Sequence, residues 1–158
     1  MDRRLSSRLV AHGAVVFLVG LAAGFPFAFE ILQRFELWPF PWTVAFDPPG
    51  DVRAWRMAHM EGILNGVVLL AVAGVGERVL LSRSAQAWTY YGLIVAAWGN
   101  TVASMLSPIF GARGLTFGGF WNSVSYLLFV AAIFGVTIAL VLIAKGALAR
   151  ARTMLPDV

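Results

Sequence analysis

RAWRMAHMEGILNG, residues 53–66, starts an apolar run yet carries two arginines, a histidine, a glutamate and an asparagine. Ionisable and amide groups are expensive in hydrocarbon and are retained there when they face protein, a cavity or a ligand. Read at about 100° per residue, Arg56, His59, Gly62, Ile63 and Gly66 form one stripe of a helix, while Glu61 and Asn65 lie on a second face. The fold therefore turns on whether this run is a spanning helix with a polar site built into it.

The rest of the chain says that it is. Of 158 residues, 59% are hydrophobic and 13% charged, and the mean hydropathy is +0.79. Soluble domains are nearer a quarter charged, so this composition belongs to the membrane class. Four stretches reach the roughly 20 apolar residues that a bilayer requires, at about 7–29, 52–79, 85–108 and 120–148. The expected fold is all-α, a four-helix membrane bundle forming one domain over 1–158. Between the first two runs, the prolines at 39, 41, 48 and 49 break helix, and Trp38 and Trp42 suit an interfacial level. There is no cysteine, hence no disulfide, thiolate ligand or covalent haem attachment.

Net charge is +4, but the basic residues sit at the ends of apolar runs, so nucleic acid is not the expected partner. Arg3, Arg4, Arg8, Arg78, Arg83, Lys145, Arg150 and Arg152 fall on one side; Arg34, Arg53, Arg56 and Arg113 fall on the other. That bias predicts both termini in the cytoplasm, in a bacterial inner membrane. The competing reading, a cleaved signal peptide ending near Ala22, needs a shorter apolar stretch than the first run provides.

Residue chemistry leaves two readings of the stripe. His59 is about two turns into its helix, where a neutral imidazole could ligate iron. Gly62 and Gly66 would then leave room for a flat macrocycle, and Arg56 would meet a propionate. Alternatively, Gly62-xxx-Gly66 is a helix-packing pattern and His59 a hydrogen-bonding side chain within the bundle. Asn100 and Ser104 in the third run repeat the i, i+4 spacing of Glu61 and Asn65, either as interhelical glue or as pocket wall. His12 is expected to bond near the interface, and Met57 and Met60 to contact lipid or core. No nucleophilic triad, H-E-x-x-H or phosphate-binding loop is present.

The set W-x-x-A-H-x-x-x-x-L-N-G, from Trp55 to Gly66, resembles the styrene oxide isomerases. So do W-x-N at Trp98 and Asn100, RGLTFG at Arg113–Gly118, AHG at Ala11–Gly13, and Pro49-Gly50. The likeness covers about residues 8 to 120 and fades in the last run. It implies a haem b protein, a homotrimer with haem at subunit boundaries, and a small hydrophobic epoxide converted to an aldehyde. It places the axial ligand at His59 and a pocket asparagine at Asn65, with Asn100 and Ser104 as further pocket residues. Arg56 and Arg113 are propionate candidates on charge alone. Two positions depart: Ser104 stands where better-known members have a tyrosine, and Ala96 where they have an aspartate, which implies a changed substrate shape, a reduced rate, or loss of the isomerase chemistry. Two other classes stay open, a haem protein for electron transfer or gas binding, and a packing protein with no cofactor.

Overall fold

The computed structural model describes residues 1–153. Helix α1 runs Arg3–Leu32, α2 Val52–Val75, α3 Arg83–Phe110 and α4 Phe120–Arg152. All four are long and apolar enough to cross a membrane. Each expected span falls on one helix; α1 and α3 overrun their apolar stretches at both ends and α4 at its C-terminal end, whereas α2 stops at Val75, short of the expected 79. Asp2 accepts from the Arg4 N–H, Asp51 from Ala54 and Ser82 from Ala85, each satisfying an N–H group that the first turn leaves unpaired. At the far end of α2 the chain tightens into a 3-10 turn, Gly76–Arg78. Gly111 closes α3 in the left-handed region, φ 66°, with its N–H bonded back to Leu106 and Ser107 carbonyls.

The linker after α1 is more ordered than its prolines imply. Strands β1 (Phe35–Glu36) and β2 (Thr43–Val44) pair antiparallel, Phe35 opposite Val44 and Glu36 opposite Thr43. Pro39 and Pro41 lie in the intervening loop, where a missing N–H costs the ladder nothing. Trp38 and Trp42 are exposed there, as interfacial aromatics are.

Two pairs of helices pack most closely, α1 with α2 and α3 with α4, and α2 against α3 joins them. Lipid tails are as apolar as leucine, so helices in a bilayer gain by close packing of small residues. Gly20 of α1 faces Gly62 of α2: a Cβ added at Gly20 would lie 2.6 Å from the Gly62 carbonyl carbon. The second pair uses Gly92 and Gly135, where a Cβ on either would come within 2.6 Å of the other's carbonyl oxygen. One buried cluster joins Leu9, Val16, Leu69, Leu93 and Ala139; a smaller one, Ala23, Trp55 and Ala58, sits at the opposite end. Outward side chains such as Leu18, Phe25, Leu127 and Phe134 are more than half exposed, an apolar surface suited to lipid or to further copies.

Candidate active site

The start of α2 is fixed from three directions. Asp51 caps it at 2.7 Å, the buried Trp55 donates its indole N–H to the Pro49 carbonyl at 2.8 Å, and Gly50, at φ +102°, packs against Pro108 of α3. A Cβ at Gly50 would be 2.7 Å from the Pro108 Cα. Together Pro49, Gly50 and Trp55 hold the depth and rotation of the helix that carries His59.

His59 faces α1. Its Nδ1 lies 2.8 Å from the Gly20 carbonyl oxygen. A carbonyl only accepts, so in the neutral ring Nδ1 carries the proton and Nε2 keeps its lone pair. Gly24 lines the ring's flank, since a Cβ there would be 2.9 Å from Cε1 and Nδ1, and Phe27 sits at a centroid distance of 6.0 Å. The two readings of the stripe are thus not exclusive. Gly62 and Gly66 do not clear space for a macrocycle within the chain, because α1 occupies it: Cβ atoms there would strike Gly20 and Phe17. The glycines pack; the histidine is oriented.

A second group lies between α2 and α3. Asn65 donates through Nδ2 to the Glu61 carbonyl at 2.8 Å and to Glu61 Oε2 at 2.9 Å, and its Oδ1 faces Asn100 Nδ2 at 3.5 Å. One member of each i, i+4 pair, Asn65 and Asn100, therefore faces the other across the two helices. Ser104 does not join them at the surface. It is 0% exposed, and its hydroxyl donates back to the Asn100 and Thr101 carbonyls at 2.7 and 3.1 Å, the usual recourse of a serine inside a helix. Ala96 is buried as well.

The arginines divide. Arg56 is exposed beside His59, one turn nearer the helix start. Arg113 instead lines a cavity of about 670 Å³ with Asp51, Arg53, Met57, Thr116 and Phe129. Met57 and His59 are two residues apart, so they point about 160° from one another, and the cavity lies across α2 from the histidine. His12 corrects its expectation: it accepts from Trp98 Nε1 at 3.2 Å, because α1 begins at Arg3 and carries position 12 into the bundle. Met57 and Met60 are exposed. Sequence reasoning missed the α1 side of the site, Gly20, Gly24 and Phe27. The signal was there, since Gly20-xxx-Gly24 matches Gly62-xxx-Gly66 as a second small-residue pair.

Fold and site together define a four-helix integral membrane protein with an oriented imidazole on one face of α2 and a carboxylate–amide network on another. Residues 5–148 match the family described as styrene oxide isomerase. Among curated proteins, the chain is 29% identical over 111 residues to styrene-oxide isomerase of Pseudomonas fluorescens, covering 70% of this chain and 65% of that one. It is 27% identical over 113 residues to hydroxylaminobenzene mutase HabB of Ectopseudomonas oleovorans, covering 72% of this chain and 57% of that one. In both cases the match spans less than two thirds of the relative. The chain belongs to the styrene oxide isomerase family.

Proposed function

We propose that this protein is a haem-dependent membrane isomerase converting a small aryl epoxide to an aldehyde. The observation that carries the reading is the Nδ1–Gly20 hydrogen bond at 2.8 Å. Metal-ligating histidines characteristically give their other ring N–H to a carbonyl or carboxylate, which fixes the tautomer and the ring plane. A single oriented imidazole is a donor that suits haem b, since a porphyrin brings its own four nitrogens and asks the protein for one such ligand.

When bound, ferric haem supplies a Lewis acid that withdraws charge from a breaking C–O bond. The chain's residues do the rest. His59 would hold the group through Nε2 while the Gly20 carbonyl keeps the ring from turning. Arg56, with no ion-pair partner among the described residues, would meet a propionate. Asn65 and Asn100 line the substrate side of the pocket; neither amide is a strong acid or base. Ser104 forms buried wall behind them. The apolar surround keeps out water, which would divert an opened epoxide to a diol.

His59 faces α1 and Asn65 faces α3, so a single ligand meets both only across a boundary between copies. A homotrimer with haem at its subunit boundaries supplies that boundary, and it is also how Arg113 of a neighbouring copy would reach a propionate. We place the assembly in a bacterial inner membrane with both termini cytoplasmic, on the charge bias of the loops.

A second substrate class rests on the match to hydroxylaminobenzene mutase: hydroxylaminobenzene, an aromatic bearing its own N–H and O–H. The deciding experiment is product analysis of the purified, haem-replete protein with styrene oxide and no reductant. Phenylacetaldehyde as the product supports the reading. A normal haem spectrum with no aldehyde from styrene oxide overturns epoxide isomerisation and leaves a haem protein of another kind.

A further inference from the structure

The Glu61–Asn65–Asn100 network has a hydrogen-bonding polarity. An asparagine side chain offers two N–H donors and one carbonyl acceptor. Glu61 takes both donors of Asn65, one on its backbone carbonyl at 2.8 Å and one on Oε2 at 2.9 Å. Both partners only accept, so the amide is held with its nitrogen toward Glu61 and its oxygen toward α3. The contact from Asn100 Nδ2 to that oxygen is long, 3.5 Å, which leaves Asn65 Oδ1 open to a better donor.

Glu61 is a costly group to keep there. It lies nine residues into α2, about 14 Å along the axis, and a carboxyl group at membrane depth is retained against a substantial penalty. Glu61, Asn65 and Asn100 are each only half-buried, so the network is accessible at the surface of one chain. What a ligand meets is a carbonyl oxygen backed by a carboxylate, an acceptor site.

We infer that Glu61 is a specificity-determining residue: by holding both Asn65 donors it presents Asn65 Oδ1 to the substrate and favours an aromatic compound bearing its own N–H or O–H. An epoxide oxygen has no hydrogen to give and gains nothing from that acceptor. Glu61 acts through Asn65 and is a positioning residue. The inference rests on the reading of the α2–α3 network as pocket wall, and of the protein as an isomerase of small aromatics.

The test compares kcat/KM for hydroxylaminobenzene and for styrene oxide in the full-length protein and in Glu61→Leu and Glu61→Gln. Leucine frees one Asn65 N–H, and the kcat/KM ratio of hydroxylaminobenzene to styrene oxide falls about tenfold from its wild-type value, the effect of one hydrogen bond in a dry site. Glutamine still accepts from Asn65 and returns the wild-type ratio. A ratio unmoved by Glu61→Leu overturns the inference. A binding measurement separates its failure from that of the isomerase reading and needs no variant. Benzyl alcohol, a donor, should raise the thermal midpoint of the wild-type protein more than benzyl methyl ether, which only accepts. Equal stabilisation by the two rejects the acceptor site, whatever the protein turns over.

Discussion

At the scale of single residues, the site depends on one imidazole whose two nitrogens have different tasks. Nδ1 is committed to Gly20, and the absence of a side chain at Gly24 lets the ring's Nδ1–Cε1 edge come close to α1. Gly24→Ala would place a Cβ 2.9 Å from the ring, so the imidazole must tilt. We expect about tenfold weaker haem retention without loss of helix, the usual scale of disturbing the support of a metal ligand, measured by haem titration of the purified variant; unaltered affinity would show that Gly24 does not set the ring's position. His59 as ligand candidate was legible in the sequence, since a histidine in an apolar run stands out. Its orientation was not, because the partner is a backbone carbonyl thirty-nine positions away that leaves no mark on residue type. Ser104 illustrates the reverse: its spacing to Asn100 is regular, but a hydroxyl that satisfies itself on its own helix is indistinguishable in sequence from one that faces a ligand.

Among the helices, the glycines at contacts decide how closely two axes approach. Gly62→Ala drives a methyl group into the Gly20 backbone and should cost roughly 1–3 kcal/mol, as overpacking does. Gly74→Ala is the control: a Cβ there meets nothing within 4 Å, so alanine should be neutral or stabilising by up to about 1 kcal/mol from helix propensity. Reversible unfolding in mixed micelles reads both, and equal effects would contradict the packing role. Asp51→Ala should remove about 1 kcal/mol by loss of its cap and loosen the start of α2 as well. The four long helices were readable from hydropathy, and Gly62-xxx-Gly66 marked a packing face of α2 without saying which helix meets it. The α3–α4 contact was not readable, because Gly92 and Gly135 are isolated glycines whose small neighbours are alanines, and only three-dimensional register reveals that they meet. The β1–β2 pair escaped as well; two residues per strand are too few for any alternation to show.

For the whole molecule, the proposed topology has four crossings with both ends of the bundle on the cytoplasmic side, the side that the loop charges favour. Fluorescent-protein fusions at either end should be bright and alkaline phosphatase fusions inactive; the opposite pattern would invert the topology. His59 and Asn65 look out from different faces of α2, and in the proposed homotrimer it is assembly that would join the haem side to the substrate side. Native mass spectrometry should then give three times the 17.1 kDa of one chain, with haem lost when the copies separate; a haem-loaded monomer would reject the shared site. The central claim is that His59 is the protein ligand of a haem, and the visible absorption spectrum of protein produced with ample haem tests it most directly. The wild type should show a Soret band that His59→Ala lacks, with the variant still helical by circular dichroism. A His59→Ala protein with the same haem content and an unshifted Soret band would contradict the account.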